Sequence, residues 1–363
     1  MKFEKVVFFG DCLDNRYHKR IREFMAEGYE VELYTFTYRD DDVRRYGDSY
    51  PIHQLKHFSE PPSYLTRLLE FTTAFRKIIY EYDRSKTLFY FFTLNTSITA
   101  LTCPGLVYVY EESDMLFDRM GNNLMKGLVR GINKKVIRKS KLTVFTSEGF
   151  ATYYYGNNVP KQITIIPNKV SVECLELRHL NRRTIDYTHL RFAFVGGIRY
   201  DALFSFAKIV ASNFPNHEFH FYGAIIGFTP MQVKELEAYP NISFHGRFSA
   251  PKDYPEIYES IDFVVSTYDT LELNPKYAEP NKLYESIFFE IPIIVSSNSF
   301  LAEKVNRLGT GFDVNPYDEE DIVRKILMIN NDTYSNYIKA IQAIPKETII
   351  NSNKAFFEKI NNL

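Results

Sequence analysis

The sequence has no tryptophan and only three cysteines in 363 residues. Cys12, Cys103 and Cys174 lie far apart, are odd in number and form no CxxC pair. That excludes a disulfide framework and a cysteine zinc site, and it fits a reducing cytoplasm. No stretch approaches the ~20 uninterrupted apolar residues of a membrane-spanning helix. The apolar run before Asp11 is too short for a signal peptide. Net charge is nearly absent, at −1, which speaks against a nucleic-acid partner. Among the eight histidines there is no HExxH. His53 and His57 fall four apart, but PIHQLKHFSEPP is bounded by prolines and reads as loop, without a third ligand. Asp40, Asp41 and Asp42 stand beside Arg44 and Arg45 and read as a solvated turn rather than a cation site. Neither a metal nor a cofactor is expected. Both GxGxxG and GxxxxGK[ST] are missing, so hydride transfer and nucleotide hydrolysis lose ground.

What is present is alternation. KVVFFG, YEVELYTF, TLFYFF, LVYVYEE, KLTVFTS and QITIIPN are short apolar runs separated by helical patterns, the signature of a parallel sheet wrapped by helices. The pattern lapses in a polar stretch and restarts with LRFAFVGG, EFHFYG, NISFHG, DFVVST and IPIIVSS. The reading is α/β, two Rossmann-like domains facing across a cleft. Their extents are 1–170, a linker at 171–189, then 190–332, with helices at 333–363 that pack back on the first domain. Charge divides the same way, with 25 basic against 20 acidic residues through Val170 and 19 against 25 after it. In such folds a small-molecule site lies at the carboxyl ends of the strands.

Two stretches carry chemistry. In FVGGIRYDALFSF, Gly196 and Gly197 let backbone amides approach an anion, and Arg199 adds a forked cation. In EPNKLYESIFFEIPIIVSS, Pro280 opens a helix that buries Ile287, Phe288 and Phe289, so Glu285 is a carboxylate in an apolar segment. Lys282, three residues before it, shares its face as a single exposed partner. A carboxylate so placed is poorly satisfied, and a ligand with two hydroxyls, such as a ribose, would satisfy it.

These blocks, with LAEKVNRLGTGFDVNP, VYVYEESDM, ITIIPNKV and ISFHGRFSAPKDYPEIYESIDFVVST in the same order, resemble GT-B glycosyltransferases, closest to the retaining family 4. The resemblance implies a nucleoside-diphosphate-sugar donor and a glycan or lipid-linked acceptor, with retention and without a metal. On the donor side it implies Glu285 at the ribose, Lys282, Asn281, Arg199 and Gly197 at the diphosphate, and Gly246 and Arg247 at the nucleobase. Glu279 is near the family's companion glutamate, but Tyr277 stands in that register. In the first domain it implies Asp14, Asn15 and Arg16 on the acceptor side, with Asp11, Glu112 and Asp114 as candidates for the reacting centre. Ser113 replaces a histidine common in that loop, and no catalytic residue is assigned. Polysaccharide, capsule or glycolipid assembly is the implied setting. A sugar-nucleotide epimerase of the same fold and a nucleotide-sugar-binding protein without turnover are the rival readings.

The segment Asn123–Lys141 carries seven basic residues and no acidic one, with Leu124, Leu128, Ile132, Val136 and Ile137 as an apolar stripe. It reads either as a solvated helix or as a membrane-surface helix that would put a cytoplasmic enzyme on the inner face of the membrane.

Overall fold

A computed structural model describes residues 3–38, 49–60, 63–119, 121–177, 180, 184–351 and 353–363. The Asp40–Asp42 cluster with its arginines, and part of the 171–189 segment, lie outside the described residues. Contacts divide the chain into two compact units, Met1–Ile166 with Asn353–Leu363, and Pro167–Ser352.

The first unit is built on a seven-stranded sheet: β1 (Lys5–Gly10), β2 (Glu30–Thr37), β3 (Ile52–His57), β4 (Thr87–Phe92), β5 (Tyr108–Glu112), β6 (Leu142–Phe145) and β7 (Ile163–Ile165). Their order is β3-β2-β1-β4-β5-β6-β7, and every pairing is parallel. Sheets covered on both faces have strands that are apolar throughout, and β4, TLFYFF, is buried at every position. Phenylalanine and tyrosine fill this core, with Phe8, Phe24, Tyr90 and Phe92 in mutual ring contact. The helix Asn15–Ala26 buries Tyr17, Arg20, Ile21 and Phe24, a stripe at helical spacing. The helix Lys354–Asn361 belongs to the same unit and sets Phe356 and Phe357 against Phe24, at 5.7 and 4.9 Å between centroids.

One expectation is corrected here. The proline-bounded stretch holding His53 and His57 is a strand, not a loop. It pairs with β2 from Leu33↔Ile52 to Thr37↔His57, at the edge of the sheet, where polar side chains stay in water. Pro51 precedes the strand, where its missing N–H costs no ladder bond, and its carbonyl accepts from Leu33 N at 3.0 Å. His53 bonds Glu32 at 2.8 Å and His57 bonds Thr37 at 3.0 Å, so each has its own local partner.

The second unit holds β8 (Arg191–Val195), β9 (Glu218–Tyr222), β10 (Ile242–Gly246), β11 (Phe263–Ser266), β12 (Ile293–Ser296) and β13 (Gly311–Val314). Their order is β10-β9-β8-β11-β12-β13, again parallel throughout. Val170 and Cys174, from the stretch read as the end of one domain and a linker, are buried in this unit's core beside Val264 and Leu283. The helix Asn331–Gln342 also lies in this unit, where Tyr334 packs with Phe263. Each sheet reverses its strand order once about its first strand, β1/β4 in one unit and β8/β11 in the other. Such switch points open ligand crevices at the carboxyl ends of the strands.

Candidate functional site

At the carboxyl ends of β8, β9 and β10 stand three glycines with positive φ, Gly196 at 137°, Gly223 at 140° and Gly246 at 74°. Their backbones are in contact: Gly196 N donates to Tyr222 O at 2.7 Å, and Gly223 N to Gly246 O at 2.6 Å. A Cβ on Gly223 would lie 1.8 Å from the Gly196 carbonyl oxygen, so no larger residue fits.

Lys282 reaches into this floor from the first turn of the helix Asn281–Phe288. A Cβ on Gly196 would lie 2.9 Å from its Nζ, so the glycine makes room for the ammonium. Lys282 is 6% exposed. Its Nζ lies 4.2 Å from the centroid of Phe194 and 3.4 Å from the Tyr268 hydroxyl, and among the described residues no carboxylate pairs with it. A cation–π contact and one long hydrogen bond recover part of the hydration the ammonium has lost. An anion supplied from outside the chain would recover more.

The expected pairing of Lys282 with Glu285 is not formed. Glu285 is buried and accepts from Tyr254 at 2.9 Å, Tyr258 at 2.5 Å and Asn281 at 2.5 Å. Residues three apart on a helix share only part of a face, and the ammonium turns to the glycine floor while the carboxylate turns to the helix Tyr254–Glu259. Burial, and after it the charge of Glu285, push both phenols above the usual tyrosine range, so they remain donors. Among the described residues Oε2 accepts one bond, from Tyr258, and a carboxylate oxygen has two lone pairs.

Glu279 is also buried, and its Oε1 accepts from Tyr284 and from Lys304. Burial, then the neighbouring Lys304, hold Lys169 below the usual lysine value, with Glu279 opposing them. Arg199 and Arg247 are exposed and form no ion pair among the described residues. The Arg199 guanidinium lies 5.0 Å from the centroid of Tyr200, itself held at a φ of 97°. Gly197 and Gly246 are exposed beside them.

In the first unit, Asp14 caps the helix Asn15–Ala26 by accepting from Arg16 N at 2.8 Å. The Arg16 guanidinium bonds Asp14 at 3.1 Å and lies 3.6 Å from Asp114. Burial works to raise the Asp14 carboxyl, and the charge and hydrogen bonds of Arg16 outweigh it, leaving the carboxyl below its ordinary value. Asp11, at the end of β1, accepts from Tyr17 at 2.9 Å and from Thr93 and Asn95 at 3.2 Å each. Glu112 is fully enclosed. Asn133 donates to both its oxygens at 3.0 Å and Tyr154 to one at 2.9 Å. Burial pushes its carboxyl up to about 8 against the hydrogen bonds of Asn133, Tyr154 and Tyr110. Glu112 therefore ties β5 to the helices Asn123–Lys139 and Glu148–Tyr155. Among the described residues no group of three or more His, Cys, Asp or Glu is placed to hold a metal ion.

Sequence reading passed over Gly223, Tyr254, Tyr258, Thr93 and Asn95. Gly223 and Thr93 each directly follow a strand, which is the one signal that could have found them. The two tyrosines are spaced to face one neighbour, but nothing in the chain names Glu285 as that neighbour.

Residues 189–332 match the family described as "Glycosyl transferases group 1". No curated protein matches the chain. Among solved structures, a sucrose-phosphate synthase from Thermosynechococcus elongatus aligns with a TM-score of 0.70 at 13% identity, over 99% of this chain and 98% of that one. HepE of Anabaena, in complex with UDP and glucose, aligns at 0.68 and 15% identity, over 99% and 100%. WaaG, a glycosyltransferase involved in lipopolysaccharide biosynthesis, aligns at 0.64 and 14% identity, over 95% and 97%. At these identities the likeness shows the fold, GT-B, and it extends over both units.

Proposed function

We propose, for a GT-B-fold glycosyltransferase whose second unit matches the group 1 transferases, that it moves a sugar from a nucleoside-diphosphate sugar to a glycan or lipid-linked acceptor. The observation that carries the donor class is Lys282, a buried ammonium without a carboxylate partner among the described residues, set against Gly196 at the switch point of the second sheet. A diphosphate supplies the missing anion. The solved HepE complexes hold UDP and glucose, or UDP-glucose, on the same fold.

In this reading Lys282, Asn281, Gly197 and Arg199 serve the diphosphate, and Gly246 and Arg247 frame the base. Glu285 takes one ribose hydroxyl on the second lone pair of Oε2 while Tyr254 and Tyr258 hold it in place. Glu279 acts at a distance, through Lys304 and Tyr284, and orients the segment before Asn281. The bond from the anomeric carbon to the diphosphate breaks, and its electron pair leaves on the phosphate. The acceptor oxygen bonds to that carbon, and its proton passes to the departing phosphate on the same face, which retains the configuration. Fixed cations near the developing charge lower the barrier without reorganising. Asp14, Asn15 and Arg16 serve the acceptor in the first unit, with Asp11 and Asp114 beside them.

Thermal shift against UDP, GDP and ADP, followed by product detection with the matching sugar donors, tests the reading. Stabilisation by one nucleoside diphosphate and transfer from its sugar are expected. Absence of any shift at millimolar nucleotide would sink the donor assignment.

Peripheral membrane attachment belongs to the same proposal. Leu124 and Leu128, on the basic helix Asn123–Lys139, are 80% and 58% exposed, so an apolar and cationic surface is open to an anionic bilayer. No helix among the described residues is long and apolar enough to cross a membrane.

A further inference from the structure

Resting on the transferase reading, we propose that Asp11, Thr93 and Asn95 form a subsite in the first unit for a pair of hydroxyls on a neutral sugar acceptor. In this subsite Asn95 Oδ1 is the receiving atom. Asn95 is 6% exposed, and its Nδ2 donates to Asp11 Oδ2 at 3.2 Å. That bond fixes the amide, because a turned amide would set its oxygen against the carboxylate. Among the described residues Oδ1 is left buried with no hydrogen-bond partner. Buried amide oxygens nearly always have one, so the exception asks for a donor from elsewhere.

The surroundings say what kind of donor. Asp11 already accepts from Tyr17, Thr93 and Asn95, and an ionised carboxylate has about four acceptor places, so what it still offers is also an acceptor. Free acceptor atoms of this kind pair with hydroxyl donors and have nothing to offer a phosphate or a carboxylate. The position is the switch point of the first sheet, where β1 and β4 part. Thr93, a β-branched residue, is held there at a φ of 68°, a conformation such residues avoid. Strain of this kind persists where the surrounding structure over-determines it, often at binding sites. Its Oγ1 bond to Asp11 at 3.2 Å orients the carboxylate toward Asn95.

Saturation-transfer NMR on the full chain, with methyl glucoside, methyl galactoside and methyl N-acetylglucosaminide as probes, tests this. Nucleotide thermal shifts are recorded on the same samples. At least one glycoside is expected to bind with millimolar affinity. Asn95→Ala should weaken it about tenfold and leave the nucleotide response unchanged. Thr93→Gly removes both the strain and the hydroxyl; its melting temperature should equal or exceed that of the unaltered chain while glycoside binding falls severalfold. A merely structural Thr93 would leave glycoside binding untouched, so this variant decides the matter should Asn95→Ala not fold. No glycoside signal on the unaltered chain, or an undiminished signal in a folded variant, overturns the subsite. A chain that binds glycoside in this pattern but no nucleotide counts against the donor reading alone.

Discussion

The two units share one strand order through six strands, to which the first adds β7, and hold opposite chemistry at the same topological place. In the first, the switch point ends in Asp11, a carboxylate that accepts from Thr93 and Asn95. In the second it ends in Gly196 and the ammonium of Lys282. The sheets differ little in kind, since both are parallel with apolar inner strands, so topology supplies the crevice and a few side chains decide its sign. A fold assignment therefore locates both sites and names the ligand of neither.

The sharpest way to break the contrast is Lys282→Met, which keeps the volume and removes the charge. Affinity for the stabilising nucleoside diphosphate should fall roughly 100-fold by calorimetry, the scale expected for removing one member of a buried charge pair. The unliganded protein should melt no lower, because a buried charge without a counter-ion is itself unfavourable. Unchanged affinity would show that the second switch point is not the anion site.

A second test sharpens the contrast through pH, because Glu112 belongs to the first unit alone. Its carboxyl is raised to about 8 in the folded chain, against an ordinary value near 4.5. Between those values the folded state binds more protons than the unfolded state, so stability falls as pH rises through that window. Glu112→Gln should remove this loss, opening a difference on the order of 2 kcal/mol between pH 5 and pH 8 in denaturant titrations, and none below about pH 4. A difference that does not vary with pH would show that the carboxyl is already ionised at neutrality.

Glu285→Gln comes next. One of the three donors to the carboxylate loses its best acceptor, for about 1 kcal/mol of stability, and nucleotide affinity should drop about tenfold. Glu285→Ala strips all three partners and should cost more stability than the glutamine variant, which a melt of both would read. Loss of stability without loss of affinity would reduce Glu285 to a support for its helix.

The smallest effect belongs to the basic helix of the first unit. Leu124→Asp with Leu128→Asp should reduce sedimentation with anionic vesicles severalfold and leave pelleting with neutral vesicles at its low level. Equal pelleting of the variant would leave that helix as a solvated surface.

Much of this was legible in the chain. The alternation of apolar runs and helical stripes announced two parallel sheets, because fully covered strands must be apolar along their whole length. Gly196, Gly197 and the oddly placed Glu285 were visible as residues whose surroundings did not suit a plain core or surface. The partner of Glu285 was not visible. Tyr254 and Tyr258 lie 31 and 27 residues before it. Lys282, the near neighbour, turned elsewhere. The edge strand around His53 and His57 was missed because edge strands carry polar side chains and lack the apolar run that marks an inner one.

Local spacing thus determined the inner strands and most helices, the glycine turn after LRFAFV, and that a carboxylate sits among apolar neighbours. Tertiary structure alone decided which charge is satisfied and which is not. Among the described residues Glu285 is met by three donors and Lys282 by no carboxylate, because hydrogen bonds and ion pairs follow distance in space, and a parallel crossover brings together residues that the sequence keeps far apart.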